Sequence, residues 1–290
     1  MIVISHVYHD HAFQAVEQIL NYHFFFADEA VHVIHISAYA PSTLVDSITV
    51  GIVDLLDEGR VVINPNRLKT VSSSCLPQHY VNFQFAREVF GNVITHVYMH
   101  TSGDLLVSGW PAPYIKTQQF GLGYNMLEQG SPWPHSPRAF SSSILDAVSP
   151  LRYFGRAEGS FYPMGFFSEV VGVFAANGGM ETMLNPGDSW PIEEAIFATM
   201  FEATMPGKPH VRNLVHTKNL KHNPNADYQA SKTLETNMVT VDDIKSLVSD
   251  SCQQPVGLKW FSIQNEDEAR AWLKNYLGDI SPPDEFPGIE

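Results

Sequence analysis

At 290 residues, 44% of them hydrophobic, the chain can bury a full core and fits one large compact unit better than two. Its formal net charge of −14, from 31 acids and 17 bases, repels phosphates at long range and excludes a protein whose main partner is a nucleic-acid backbone. Two cysteines, Cys75 and Cys252, make no disulfide framework, and neither a basic leader nor a run of eighteen apolar residues occurs, so a cytoplasmic protein without a membrane span is expected.

In chain order, Ile2 to Ser5 reads as a strand, Ala12 to Phe25 places apolar residues at helical spacing, and Val31 to Ile36 returns to strand character. This is a βαβ opening. A helix is expected from Leu44 to Leu56, a strand from Arg60 to Ile63, a helix from Tyr80 to Phe90 and a strand from Ile94 to His100. Such alternation predicts a single Rossmann-like α/β domain, a mostly parallel central sheet covered by helices, over residues 1–280. Trp110 to Pro150, with Pro111, Pro113, Pro132, Pro134 and Pro137, reads as a long irregular excursion. The apolar run Phe161 to Phe174 follows, then a helix near Pro191, for which Asp188 or Ser189 is the expected cap. A helix from Val241 to Val248, a strand from Leu258 to Ile263 and a helix from Glu266 to Tyr276 complete the fold, and residues 281–290 read as a loose acidic tail.

Parallel sheets bind ligands beyond the carboxyl ends of their strands, which selects His6 to Asp10, His35 to Ser37 and Ser102 to Asp104. The group His6, His9, Asp10 and His11 lacks the spacing of the common zinc signatures, although a zinc-dependent hydrolase is the third reading it leaves open. Glu193 and Glu194 fall in a first helical turn, where the helix dipole favours carboxylates and would hold a general base in a fixed orientation. From Met205 to Ala226 the chain carries Lys208, Arg212, Lys218 and Lys221 with His210, His216 and His222 and no acid, a reversal of its overall charge that suits a diphosphate site. No Walker loop, Gly-x-Gly-x-x-Gly turn or Asp-x-Asp motif occurs, so basic side chains rather than a metal are expected to meet any phosphate.

The order of these motifs resembles the core-2/I-branching family of glycosyltransferases, the inverting β-1,6-N-acetylglucosaminyltransferases and their bacterial and xylosyl relatives. Val3 to Asp10 looks like that family's first strand with its His pair, His32 to Ser37 like its second, and Arg67 to Ser74 like the segment before its next helix. Thr101 to Val107 is similar to its Gly-Met-Asp-Phe-Pro strand end, which puts Asp104 on the family's aspartate. Gly159-Ser-Phe-Tyr162 resembles its Gly-Ser-Ala-Tyr segment, and Pro191 to Thr199 resembles Pro-Asp-Glu-His-Leu-Trp-Ala-Thr, with the catalytic base falling on Glu194. His210-Val-Arg212 is identical to a tripeptide whose arginine contacts the donor diphosphate, and Gly257-Leu-Lys259 overlies a motif whose lysine does the same. Ser37 departs from the Asp often found at the second strand's end.

The resemblance implies a glycosyltransferase A-type fold and transfer of a sugar, GlcNAc or xylose-like, from a nucleotide-sugar donor, a UDP-sugar first, to a hydroxyl of a glycan acceptor in bacterial surface polysaccharide or glycoconjugate synthesis. No cofactor or metal is implied, and any membrane contact would be peripheral, through the acceptor. Glu194 is the base; Arg212, Lys259 and Lys218 meet the diphosphate; His6, His9, Ser37, Arg67, Ser102 and Asp104 belong to the donor and nucleotide pocket. Glu158, Gly159, Ser160, Tyr162 and Glu193 belong to the acceptor or sugar pocket. The alternative reading is an inactive sugar or nucleotide-sugar binding protein of the same fold.

Overall fold

A computed structural model describes residues 1–70, 74–100, 103–216, 238–248, 255–259, 261–262 and 267–279. β1 (Ile2–Tyr8), α1 (Ala12–Phe26) and β2 (Ala30–Ile36) form the expected βαβ unit, with the strands parallel and Ile4 opposite His32. All seven residues of each strand are buried, because helices cover both faces, which is why the strands read as Val/Ile runs and do not alternate with polar residues. The single helix expected from Leu44 to Leu56 is two, α2 (Ser42–Gly51) and α3 (Val53–Asp57). The break falls at Ile52, just after Gly51, a weak helix former. β3 (Val61–Ile63), α4 (Leu76–Phe90) and β4 (His96–Met99) follow.

Trp110 to Pro150 is not the irregular excursion its prolines suggested. After β5 (Asp104–Ser108) it contains α5 (Pro111–Gln118), β6 (Tyr124–Met126), α6 (Ser136–Phe140) and α7 (Ser143–Asp146). Pro111 and Pro137 sit in first helical turns, where a missing N–H costs nothing. Phe120, Leu122, Leu127, Trp133, Ile144 and Leu145 are buried in the largest apolar cluster of the described residues, and Trp133 stacks on Phe154 at 5.1 Å.

The chain continues through β7 (Tyr153–Gly155), β8 (Phe161–Pro163), α8 (Met164–Ala176), α9 (Gly179–Met183), α10 (Glu193–Thr204), β9 (Val215–His216) and β10 (Val256–Lys259). The central sheet has the order β3-β2-β1-β4-β8, parallel except for β8. A smaller sheet, β5-β10-β9, pairs β5 with β10 antiparallel, and β6 pairs with β7. The helix expected from Val241 to Val248 is found with those bounds, and the last helix runs from Glu268 to Asp279. The fold is thus mixed α/β, with a mostly parallel sheet flanked by helices. Among the described residues no helix is long and apolar enough to cross a membrane. The expected tail at 281–290 lies outside the described residues.

Packing of α8 and α10 on one face of the sheet fixes where α10 begins. Tyr162 of β8 stacks on Phe197 of α10, with centroids 4.5 Å apart and planes 13° from parallel, and Phe166, Phe167, Ile196 and Phe201 close around them. Burying a ring such as Phe197 stabilises by about 1.5–3 kcal/mol. Neither Asp188 nor Ser189 caps α10: the capping position is Ile192 without a side-chain bond, and Asp188 instead accepts a hydrogen bond from Asn185 at 2.6 Å. The first turn is therefore left to Glu193 and Glu194.

Because β8 runs antiparallel to β4, the residues just before β8 arrive at the carboxyl end of β4. Met99 N–H donates to the Ser160 carbonyl at 2.9 Å and Gly159 N–H to the Met99 carbonyl at 3.0 Å. The Gly159 carbonyl then accepts from Leu214 N–H at 2.9 Å, and the Leu214 carbonyl from Gly257 N–H at 2.8 Å, which ties the small sheet to the large one. Gly159 has φ +69°, and a Cβ there would come within 2.4 Å of Val215 N. Gly159→Ala is expected to lower unfolding stability by about 1–3 kcal/mol, read as a reduced midpoint in urea; an unchanged midpoint would show that the junction is not under this constraint.

Candidate functional site

Four elements converge at this junction. The Arg156–Ser160 segment supplies Glu158, the start of α10 supplies Glu193 and Glu194, the end of β10 supplies Lys259, and the residues leading into α4 supply Ser74 and Cys75. Lys259 Nζ donates to Glu158 Oε1 in a close ion pair. The Glu158 backbone is held by Asn213, whose Nδ2 donates to its carbonyl at 2.7 Å, while Ser160 Oγ closes the turn on the Ala157 carbonyl at 2.6 Å. Glu158 Oε2 is buried and has no hydrogen-bond partner among the described residues.

The two glutamates of α10 differ in their surroundings. Glu193 is buried and accepts hydrogen bonds from Ser74 Oγ at 3.0 Å and from Cys75 N–H at 3.1 Å, so it pins the start of α4 to the start of α10. Burial pushes its carboxyl up to about 7 against these hydrogen bonds. Glu194 is partly buried, less completely than Glu193. Burial, then the charges of Glu158 and Glu193, push it up to about 8, with Lys259 and Arg156 pulling the other way. Glu158 itself is pushed up by burial, but Lys259 and then Arg156 outweigh that and hold it well below the usual carboxylate range. One ionised carboxylate and two poised ones thus share one site, an arrangement in which environment separates the roles of identical groups. Burial, with Glu193 and Glu158 nearby, pushes the Cys75 thiol up and away from thiolate chemistry.

Other expected site residues are placed elsewhere. His6, within β1, and Asp104, at the start of β5, are fully buried. His6 Nε2 lies 3.0 Å from His32 Nδ1 and its Nδ1 3.0 Å from the Tyr8 hydroxyl. Asp104 Oδ1 accepts from the Tyr22 hydroxyl at 3.0 Å and lies 2.7 Å from His100 Nε2, in contact but without hydrogen-bond alignment. The expectation that Asp104 closes a strand is corrected: β4 ends at Met99, and Asp104 opens β5, opposite Lys259 of β10. His79 joins the interior group through Ser5 Oγ at 2.8 Å, and Asn82 donates to Ser5 Oγ and the His6 carbonyl. Burial holds His32 and His79 down at about 3 and His35 at about 4.

His9 is exposed just after β1, 3.4 Å from Asp10, which lies 3.6 Å from His11. Among the described residues no three His, Cys, Asp or Glu side chains are grouped as metal ligands. Ser37 and Arg67 hold backbone: Ser37 Oγ accepts from Tyr39 and Thr70 N–H, and Arg67 donates to the carbonyls of Ile36, Ser37 and Ala40. Tyr162 is a core residue, packed on Phe197. Arg212 is exposed and directly precedes Asn213, the residue that holds Glu158; His210 stacks on Tyr124 at 5.0 Å. Ser102 and Lys218 lie outside the described residues.

The expected residues that do meet are therefore Glu158, Gly159, Ser160, Glu193, Glu194 and Lys259, joined by Ser74, Cys75, Arg156 and Asn213. Ser74 and Cys75 are tied to Glu193 across 119 and 118 positions of sequence, and no local pattern marks that pairing. Asn213 carried a usable signal, since it directly follows the His210-Val-Arg212 tripeptide. The chain matches no protein-family model and no curated protein.

Proposed function

We propose that the chain is an inverting glycosyltransferase that moves a sugar from a nucleotide-sugar donor, a UDP-sugar first, to a hydroxyl of a glycan acceptor. The observation that carries this reading is Glu194: a partly buried carboxylate in the first turn of α10, grouped with the buried Glu193 and the Glu158–Lys259 pair and pushed up to about 8 by burial and its acidic neighbours. A base whose proton affinity lies near working pH suits proton removal from a hydroxyl. Glu194 takes the proton of the acceptor hydroxyl; that oxygen attacks the anomeric carbon, and the bond to the diphosphate breaks with its electron pair going to the phosphate oxygen. Arg212 and Lys259 meet the charge that develops there.

On the donor side, Ser37 and Arg67 shape the loop after β2 through bonds to backbone groups, and in this reading that loop borders the nucleotide. Action in the cytoplasm, in surface polysaccharide or glycoconjugate synthesis, is the finer form of the proposal. It is tested by incubating the protein with a panel of nucleotide sugars in excess EDTA and following nucleotide release. Slow release from one of them is expected. No release from any, with retained nucleotide binding, would favour the inactive binding protein; release lost to EDTA and restored by manganese would overturn metal-independent transfer.

A further inference from the structure

Lys259 is the cation assigned to the donor phosphate, yet its Nζ is already occupied by Glu158 Oε1. The pair is close, both side chains are largely buried, and Glu158 is the only carboxylate in ion-pair contact with Lys259 among the described residues. We propose that Glu158 is a built-in stand-in for the phosphate: its carboxylate holds Lys259 in the empty site, and a phosphate-bearing ligand takes that place in exchange for one proton delivered to Glu158. The inference rests on the glycosyltransferase reading for the identity of the anion, but the exchange itself can be observed without turnover.

Three observations point to an exchangeable partner and away from a purely structural ion pair. The backbone around Glu158 is fixed by Asn213, Met99 and Leu214, so only its side chain is free to move. The second carboxylate oxygen, Oε2, is buried with no partner among the described residues, so Lys259 is the main group satisfying the carboxylate. Arg156 acts on the Glu158 carboxylate electrostatically, so the local charge does not rest on Lys259 alone. A native pair built only for stability would normally satisfy both oxygens.

The proton follows from burial. Stripping Lys259 from a buried carboxylate leaves an uncompensated charge, and the cheaper state is the neutral acid. The groups facing Glu158 set the same sign. Glu193 and Glu194 on α10 add negative charge to the extent that they are ionised, Lys259 on β10 and Arg156 add positive charge, and Cys75 at the start of α4 is an un-ionised thiol. Asp104, opposite Lys259 across the strand pair, is engaged with Tyr22 and His100. Once a phosphate neutralises Lys259, burial and the charge of the phosphate itself favour proton uptake by Glu158.

The test is isothermal titration of the full chain with inorganic pyrophosphate at pH 7.5 in buffers of different ionisation enthalpy, comparing the native protein with Glu158→Gln. The native protein is expected to take up more protons on binding than the variant; protonation of pyrophosphate itself is common to both and cancels. Glu158→Gln is expected to bind pyrophosphate about 5- to 150-fold more tightly, the range of ordinary coupling between two ligands of one site. Equal or weaker binding by the variant, equal proton uptake, or no binding by either protein overturns the proposal. Should Glu158→Gln fail to fold, Glu158→Asp, which shortens the reach to Lys259, is expected to tighten binding by a smaller factor, and no tightening there is equally fatal. If pyrophosphate binds in this manner while no nucleotide sugar is turned over, the exchange stands and the glycosyltransferase reading falls.

Discussion

Glu194→Gln is expected to lower the rate of nucleotide-sugar turnover by about 10²- to 10⁴-fold while leaving nucleotide affinity within a few-fold of the native value. The amide keeps the size and the helix-start position of Glu194 but cannot take a proton. Single-turnover measurement with the donor found by the nucleotide-sugar panel, together with titration of the free nucleotide, separates the two effects. Activity that survives nearly intact would remove Glu194 from the role of base. A pH profile gives an independent reading. The base must be deprotonated to act, and burial with Glu158 and Glu193 nearby pushes Glu194 up to about 8, so the rate is expected to rise with pH through that region. A profile already flat from pH 6 to 9 would mean that no group with this titration limits the reaction.

The second large effect is loss of stability in mild acid. His6, His32, His35 and His79 are buried and held down by burial, with His32 and His79 at about 3 and His35 at about 4. Above about pH 6.5 these groups are neutral in both folded and unfolded chains and contribute no pH dependence. Below it the unfolded chain binds protons that the folded chain refuses, so stability falls with pH until the folded values are reached. Each such histidine contributes up to about 1.4 kcal/mol per pH unit.

Glu193 and Glu194 work in the opposite sense over part of this window. Raised to about 7 and about 8, they hold protons in the folded state that the unfolded chain has released above about 4.5. Four histidines outweigh two glutamates, and a net loss of roughly 2–3 kcal/mol per pH unit between pH 6 and 5 is expected. Urea unfolding at pH 7, 6 and 5 measures it, and a midpoint that stays level or rises toward pH 5 would mean the histidines are not held neutral in the fold.

Much of the architecture was legible because local pattern and tertiary role agree. β1 and β2 are buried on both faces, so hydrophobicity alone marks them, and the helix from Val241 to Val248 carries an apolar stripe that needs no tertiary context. Trp110 to Pro150 failed for the converse reason. Pro111 and Pro137 are helix starts and its aromatic residues reach into a core assembled from distant elements, and neither role has a periodic signature. Strand ends misled in a similar way. His6 and Asp104 stand near the carboxyl edge in sequence terms, yet both are buried in an interior where His6 meets His32 and Tyr8 and Asp104 accepts from Tyr22.

By itself the sequence determined the alternation of strands and helices, the acidic surface with its one basic stretch, and the adjacency of Glu193 and Glu194 in a first helical turn. These follow from periodicity and composition, which act within a few residues. Only the tertiary structure decided that the neighbouring glutamates are unlike, Glu193 tied to Ser74 and Cys75 and Glu194 less completely buried, and that Lys259 is held by Glu158. Those distinctions arise where β8 turns antiparallel to β4 and Gly159 joins the two sheets, because burial and charge there are set by groups 50 to 120 residues apart in the chain, such as Asn213, Lys259 and Ser74.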